Sequence, residues 1–180
     1  ISKENQTISN AHILKFGELM SSEIFHQFLL GINRSVKLID AQKMIYASGN
    51  DYCNSIPLLS KTSEHISKAI KGENRYHIIL TQGYICNNRL LGLDGSDLTA
   101  SLIALGLRLY SPNLSIKKTF WKDVEGVMVD GIFRENIGID EYNSLETGPV
   151  RKDALNIDPE TETVIRSFLN LENPGTKIVW

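Results

Sequence analysis

The sequence predicts an α+β domain, a mixed or antiparallel sheet wrapped around one long buried helix with further helices at its flanks. Three observations predict it. From Ser96 to Leu109, apolar residues (Leu98, Leu102, Ile103, Leu105, Leu107, Leu109) cover nearly every face, which is the pattern of an enclosed helix. Short runs with strand character lie on both sides of that helix. The chain has 180 residues, 42% hydrophobic and 22% charged, enough for one domain with a sizeable core and no staples.

Taken in order, residues 1–10 are polar and are expected to be loosely ordered. From His12 to Leu30 the apolar positions Ile13, Phe16, Leu19, Ile24, Phe25, Phe28 and Leu29 fit a helix better in the second half than in the first. Ser21 or Ser22 would cap the helix and Gly31 would stop it, while Ala11 to Met20 fits a strand equally well. Strands follow at Val36–Asp40 and Lys43–Ala47, and Ser48-Gly49-Asn50-Asp51 is loop chemistry. Ser60 to Lys71 reads as an amphipathic helix closed by Gly72, with strands next at Tyr76–Gln82 and Arg89–Leu93.

Ser96 or Asp97 caps the central helix and Pro112 ends it. Strands are expected at Leu114–Phe120 and Gly126–Arg134, then a Gly- and acid-rich loop to about Ala154. Asp158-Pro159 opens a last helix that runs to about Leu171, stopped by Asn173-Pro174-Gly175. There is no internal repeat, and no run of eighteen apolar residues that would span a membrane. With Ile1 first and Trp180 last, the chain reads as a single domain excised from a larger protein.

The chemistry-bearing residues give little. His12, His26, His65 and His77 lack metal-ligand spacing from one another and from Cys53 and Cys86, so neither a metal nor a cofactor is expected. The cysteines read as free thiols, a bridge between them being the alternative. The acids Asp123, Glu125, Asp130 and Glu135 mostly alternate with apolar residues and read as a solvated strand face rather than a two-metal site. Gly92-Leu93-Asp94-Gly95 leads into the central helix, whose N-terminus has some anion-binding potential, opposed by Asp94 and Asp97. The slightly acidic balance, net charge −2, excludes an extended phosphate-gripping surface but permits one nucleotide in a pocket.

Leu91-Gly92-Leu93-Asp94-Gly95, the helix 97–109 and Ser111-Pro112-Asn113-Leu114-Ser115-Ile116-Lys117 form one pattern. It resembles the cap-binding domain of the second basic polymerase subunit of orthomyxoviruses, most like a thogotovirus. Gly126 to Ile132, Lys15-Phe16-Gly17 and Val36 to Gly49 fit the same resemblance, with residues 51–75 set aside as an insertion. The resemblance implies a cap pocket at Leu14, Phe16, Asp40, Met44, Gly83, Leu109 and Tyr110. The family's two stacking positions fall on Leu109 and Asp40 and its guanine-reading carboxylate on Met44, so the groups that cap chemistry needs are missing from those positions.

The implied function is therefore structural: a non-catalytic domain of a viral RNA polymerase, with weak or absent cap binding. Its partners would be other polymerase subunits and, weakly, capped host mRNA, in the host nucleus and virion. One alternative is a working cap binder with a rebuilt pocket, stacking the base between Tyr110 and one of Tyr46, Phe120 or Trp121. Another is an unrelated α+β interaction domain.

Overall fold

The structure, a computed structural model, describes residues 3–92, 95–111, 113–117, 119, 127–129, 132–134, 136–138 and 177–179. The first helix, α1 (Lys3–Gly31), is continuous over 29 residues and includes the segments expected to be loose or extended. Its inner side is formed by Ala11, Ser22 and Leu29, with Leu19 partly buried against the core. Small residues there let the helix lie close to its neighbours. Asn33 takes the left-handed conformation (φ 57°) after the helix, and the Arg34 N–H donates to the Leu29 carbonyl at 2.9 Å. That is a Schellman-type ending with Asn in the role often played by Gly.

Strand β1 (Val36–Ile39) runs into a 3-10 turn (Ala41–Lys43), and its partner is β4 (Ile78–Thr81). The two are parallel, paired from Val36↔Ile78 to Ile39↔Thr81. A parallel pair needs a crossover, and residues 40–77 provide it. Within that stretch β2 (Ala47–Ser48) pairs antiparallel with β3 (Ile56–Pro57), followed by α2 (Leu59–Ile70). The segment set aside as an insertion thus holds the crossover helix. Ile66 of α2 is fully buried, and buried Thr62 binds Tyr46 both ways, accepting from its N–H and donating to its carbonyl, each at 3.1 Å.

A hairpin, β5 (Ile85–Cys86) with β6 (Arg89–Leu90), leads to α3 (Gly95–Tyr110). This is the central helix of the sequence reading, packed on α2 and buried at Leu98, Leu102, Ala104 and Leu105. The enclosed centre also takes in Met44, Ile45, Ile85 and Leu90. Buried Gln82 ties three parts of the chain together. Its amide donates to Ser22 Oγ at 3.0 Å, and its Oε1 accepts the Ala41 N–H at 2.8 Å.

The expected Gly126–Arg134 strand is a hairpin, β7 (Val127–Val129) against β8 (Ile132–Arg134). β9 (Asn136–Gly138) pairs antiparallel with β10 (Lys177–Val179). Leu114 to Lys117 do not form a strand. The expected helix at 158–171 and the loop before it lie outside the described residues. The class is α+β, but no sheet wraps the central helix: among the described residues the sheets are two-stranded and α3 is covered mainly by α2 and by loops.

Candidate functional site

The N-terminal end of α3 is a tightly built turn. Gly92 has φ +88°, and a Cβ on it would meet the Asn54 side-chain oxygen. A Cβ on Gly95 would come within 2.9 Å of the Leu91 Cβ and 3.1 Å of the Tyr84 ring. A Cβ on Gly83 would fall 2.7 Å from Ser96 Cβ. Glycine is needed at Gly92 for conformation and at all three for space. Asn54, Tyr84 and Ser96 therefore seat the helix end with no slack.

Tyr84 holds this cluster from the hairpin side. It has a positive φ of 66°, costly outside glycine. Its N–H donates to Thr99 Oγ1 at 3.2 Å, and that hydroxyl donates to the Gly95 carbonyl at 2.8 Å. Its carbonyl accepts the Leu91 N–H at 2.9 Å.

Burial raises the Tyr84 phenol above its ordinary pKa, aided by the nearby Cys53 thiol and Glu18 carboxylate. Glu18, half-buried on α1, is itself raised by loss of solvent. Burial, then the Asp51 charge, raises Cys53, whose N–H donates to Asp51 Oδ1 at 2.8 Å.

Around the helix end stand a phenol, an exposed Ser96 and the first-turn backbone N–H groups, with the partly desolvated Glu18 carboxylate near enough to act on the phenol. Those N–H groups have no carbonyl of their own helix to bind and carry partial positive charge. Asp97, in the same turn, is buried. Asp94 lies outside the described residues.

A separate cavity of about 380 Å³ is lined by Lys3, Glu4, Thr7, Gly49, Asn50, Asp51, Tyr52 and Arg89. The Arg89 guanidinium stacks 3.8 Å over the Tyr52 ring and donates to the Gly49 carbonyl at 2.9 Å. Arg89 is thus already engaged, and Lys3 is the second cation of the cavity wall. The α3 end instead offers a glycine-fitted turn with first-turn N–H groups.

The residues placed in a cap pocket do not converge. Leu14 and Phe16 are exposed on α1, and Asp40 caps the 3-10 turn, accepting the Gln42 N–H at 3.0 Å. Met44 is sealed in the core, where it reaches no ligand. Gly83 sits at the N-terminal end of α3, whereas exposed Leu109 and Tyr110 stand at the other end, about 20 Å away by helical rise. Tyr46 is occupied by His65, ring centroids 4.4 Å apart, and by Lys61 above its face. Phe120 and Trp121 lie outside the described residues. Sequence reasoning missed Glu18, Asn54 and Tyr84, which no motif links. The only available signal was the glycine-rich approach to the helix.

No known family profile matches the chain. It is, however, 31% identical over 136 residues to the chloroplastic aspartokinase 2 of Arabidopsis thaliana, and 33% to aspartokinase 3, in each case over 70% of this chain. A bifunctional aspartokinase/homoserine dehydrogenase of Buchnera aphidicola is 30% identical over 122 residues. Among solved structures, Escherichia coli aspartokinase III in complex with aspartate and ADP matches with a TM-score of 0.52 at 26% identity. That match covers 57% of this chain and 24% of the enzyme. The chain spans less than a quarter of the length of the curated relatives it matches.

These findings overturn the orthomyxovirus resemblance, and with it the polymerase-subunit function and the partnership with polymerase subunits and capped mRNA. The host nucleus and virion lose their support too, because the relatives are chloroplastic or bacterial. The error has a physical source. A strand, a glycine turn and an all-round apolar helix are what any enclosed strand–helix unit requires, so that pattern recurs in unrelated folds. No helix among the described residues is long and apolar enough to cross a membrane. What this chain is similar to, in sequence and in fold, is a segment of the aspartokinases, which are enzymes.

Proposed function

We propose that the chain is an aspartokinase-like segment whose α3 N-terminus, with Glu18, receives an amino-acid substrate. The observation that carries this reading is the 31% identity over 136 residues to an aspartokinase, supported by the likeness to a solved aspartokinase holding aspartate and ADP. The chemistry of the site agrees with it. First-turn N–H groups suit a carboxylate, while a half-buried carboxylate such as Glu18 suits an ammonium group. A zwitterionic acid presents both.

In a kinase of this kind the reactants are held in place for phosphoryl transfer from ATP. The role proposed for this segment is that positioning. Glu18 would hold the ammonium and the α3 end a carboxylate.

The test is amide chemical-shift mapping of the 180-residue protein titrated with L-aspartate, succinate and L-lysine. Saturable shifts at Gly92, Gly95, Ser96 and Tyr84 are expected with aspartate. Glu18→Gln should weaken aspartate and leave succinate, which lacks the ammonium, unchanged. Absence of saturable shifts through the millimolar range would refute the reading, as would shifts confined to the Arg89 cavity. Lysine is included because the same enzyme was also solved with lysine and aspartate. Shifts with lysine alone would replace substrate binding by an effector role.

A further inference from the structure

We infer, on the reading of Glu18 as the partner of a substrate ammonium group, that Gln82 is a positioning residue for that site. Its side chain fixes where α1, and with it Glu18, stands relative to the N-terminal end of α3. Gln82 follows the last residue of β4 and is 4% exposed. Its amide donates to Ser22 Oγ at 3.0 Å and accepts the Ala41 N–H at 2.8 Å. Ser22 is buried too, and its hydroxyl is committed to the Leu19 carbonyl at 3.1 Å. A backbone N–H can only donate, so the amide oxygen must face Ala41 and the amide nitrogen must face Ser22.

Ser22 stands one helical turn from Glu18, so the two share a face of α1. In the other direction the backbone of Gln82 continues into Gly83, close against Ser96, and Tyr84, whose N–H donates to Thr99 Oγ1 at 3.2 Å. Three consecutive residues therefore join the helix that carries Glu18 to the turn that carries the first N–H groups of α3.

An apolar side chain would fill the same space, and a buried amide adds little net stability, because folding exchanges its bonds to water for bonds to protein. What directional bonds add is a single register. The buried side of α1 is built of Ala11, Ser22 and Leu29, and two small residues give a facing surface little to lock into. With the Ser22–Gln82 bond in place, Glu18 is held at one spacing from the α3 end. That spacing selects ligands whose ammonium and carboxylate match it.

Titration of the 180-residue protein with L-aspartate and with succinate, followed by amide chemical shifts, tests this. The wild type should prefer aspartate by about tenfold or more, the worth of one charged hydrogen bond. Ser22→Ala, which leaves the Ala41 bond intact and puts the best helix former into α1, should lose most of that preference with succinate affinity unchanged. Gln82→Met should do the same, and the double variant should lose no more than either alone, since each removes one shared bond. In a Glu18→Gln background Ser22→Ala should change neither affinity, because nothing there holds the ammonium. A wild type without preference for aspartate overturns the reading of Glu18 and this inference with it. A preference that survives Ser22→Ala overturns the inference alone. So does an equal fall for both ligands, which would mark a merely structural bond.

Discussion

The contact between α2 and α3 can be tested by a change of sign. A Cβ on Gly106 would lie 3.0 Å from Ile66 Cδ1 and 3.3 Å from its Cβ and Cγ2, and Ile66 is fully buried. Gly106→Ala therefore adds a helix-propensity gain of about 1 kcal/mol and an overpacking cost of about 1–3 kcal/mol. The expected net effect is a loss of up to about 2 kcal/mol. Ile66→Ala removes Cγ1, Cγ2 and Cδ1 and leaves a cavity, costing about 2–5 kcal/mol. In that background only the Cβ of residue 66, at 3.3 Å, still faces the methyl added at position 106, so Gly106→Ala should lose most of its overpacking cost and recover up to about 1 kcal/mol of helix propensity. The coupling between the two sites is then about 1–3 kcal/mol. Urea denaturation of the four variants, followed by far-UV circular dichroism, measures it from midpoints at constant slope. Losses that add within about 0.5 kcal/mol would refute the claim that Gly106 is there to admit Ile66.

Three other outcomes follow from buried chemistry. Gly92→Ala should lower stability by about 1–2 kcal/mol for its left-handed backbone alone, and further for the collision with Asn54; the thermal midpoint reads this. Gln82→Leu would strand the Ala41 N–H and cost about 1–3 kcal/mol, measured by denaturant midpoint. Burial pushes the Cys86 thiol up to about 12 from 9.0. A folded pKa above the unfolded one gives stability that is complete below about pH 9 and lost as pH rises toward 12. Ellman's reagent at about pH 8 should accordingly find Cys86 inert until the chain unfolds.

What was legible in the sequence was whatever depends on neighbours along the chain. The central helix was expected at 96–109 and runs Gly95–Tyr110, and the amphipathic helix expected at 60–71 runs Leu59–Ile70. Strands expected at 36–40 and 76–82 appear as Val36–Ile39 and Ile78–Thr81. In each case local spacing and caps agree with the face the fold buries. The first half of α1 was not legible. Its polar and small residues turn inward and its large apolar ones outward, so no amphipathic signal separates helix from strand.

The grouping at the α3 end was invisible for another reason. Glu18, Asn54, Tyr84 and Ser96 come from four different stretches of chain, gathered by long-range contacts such as the docking of α1 and the antiparallel bridge of Asn54 to Leu91. Periodicity reports what one element prefers; it carries no information about which distant element will cover it. The sequence alone determined that an enclosed helix would organise an α+β domain and that glycines would lead into it. Tertiary structure decided which side chains stand at that helix end, because long-range contacts are chosen by complementary shape and buried hydrogen bonds rather than by order along the chain.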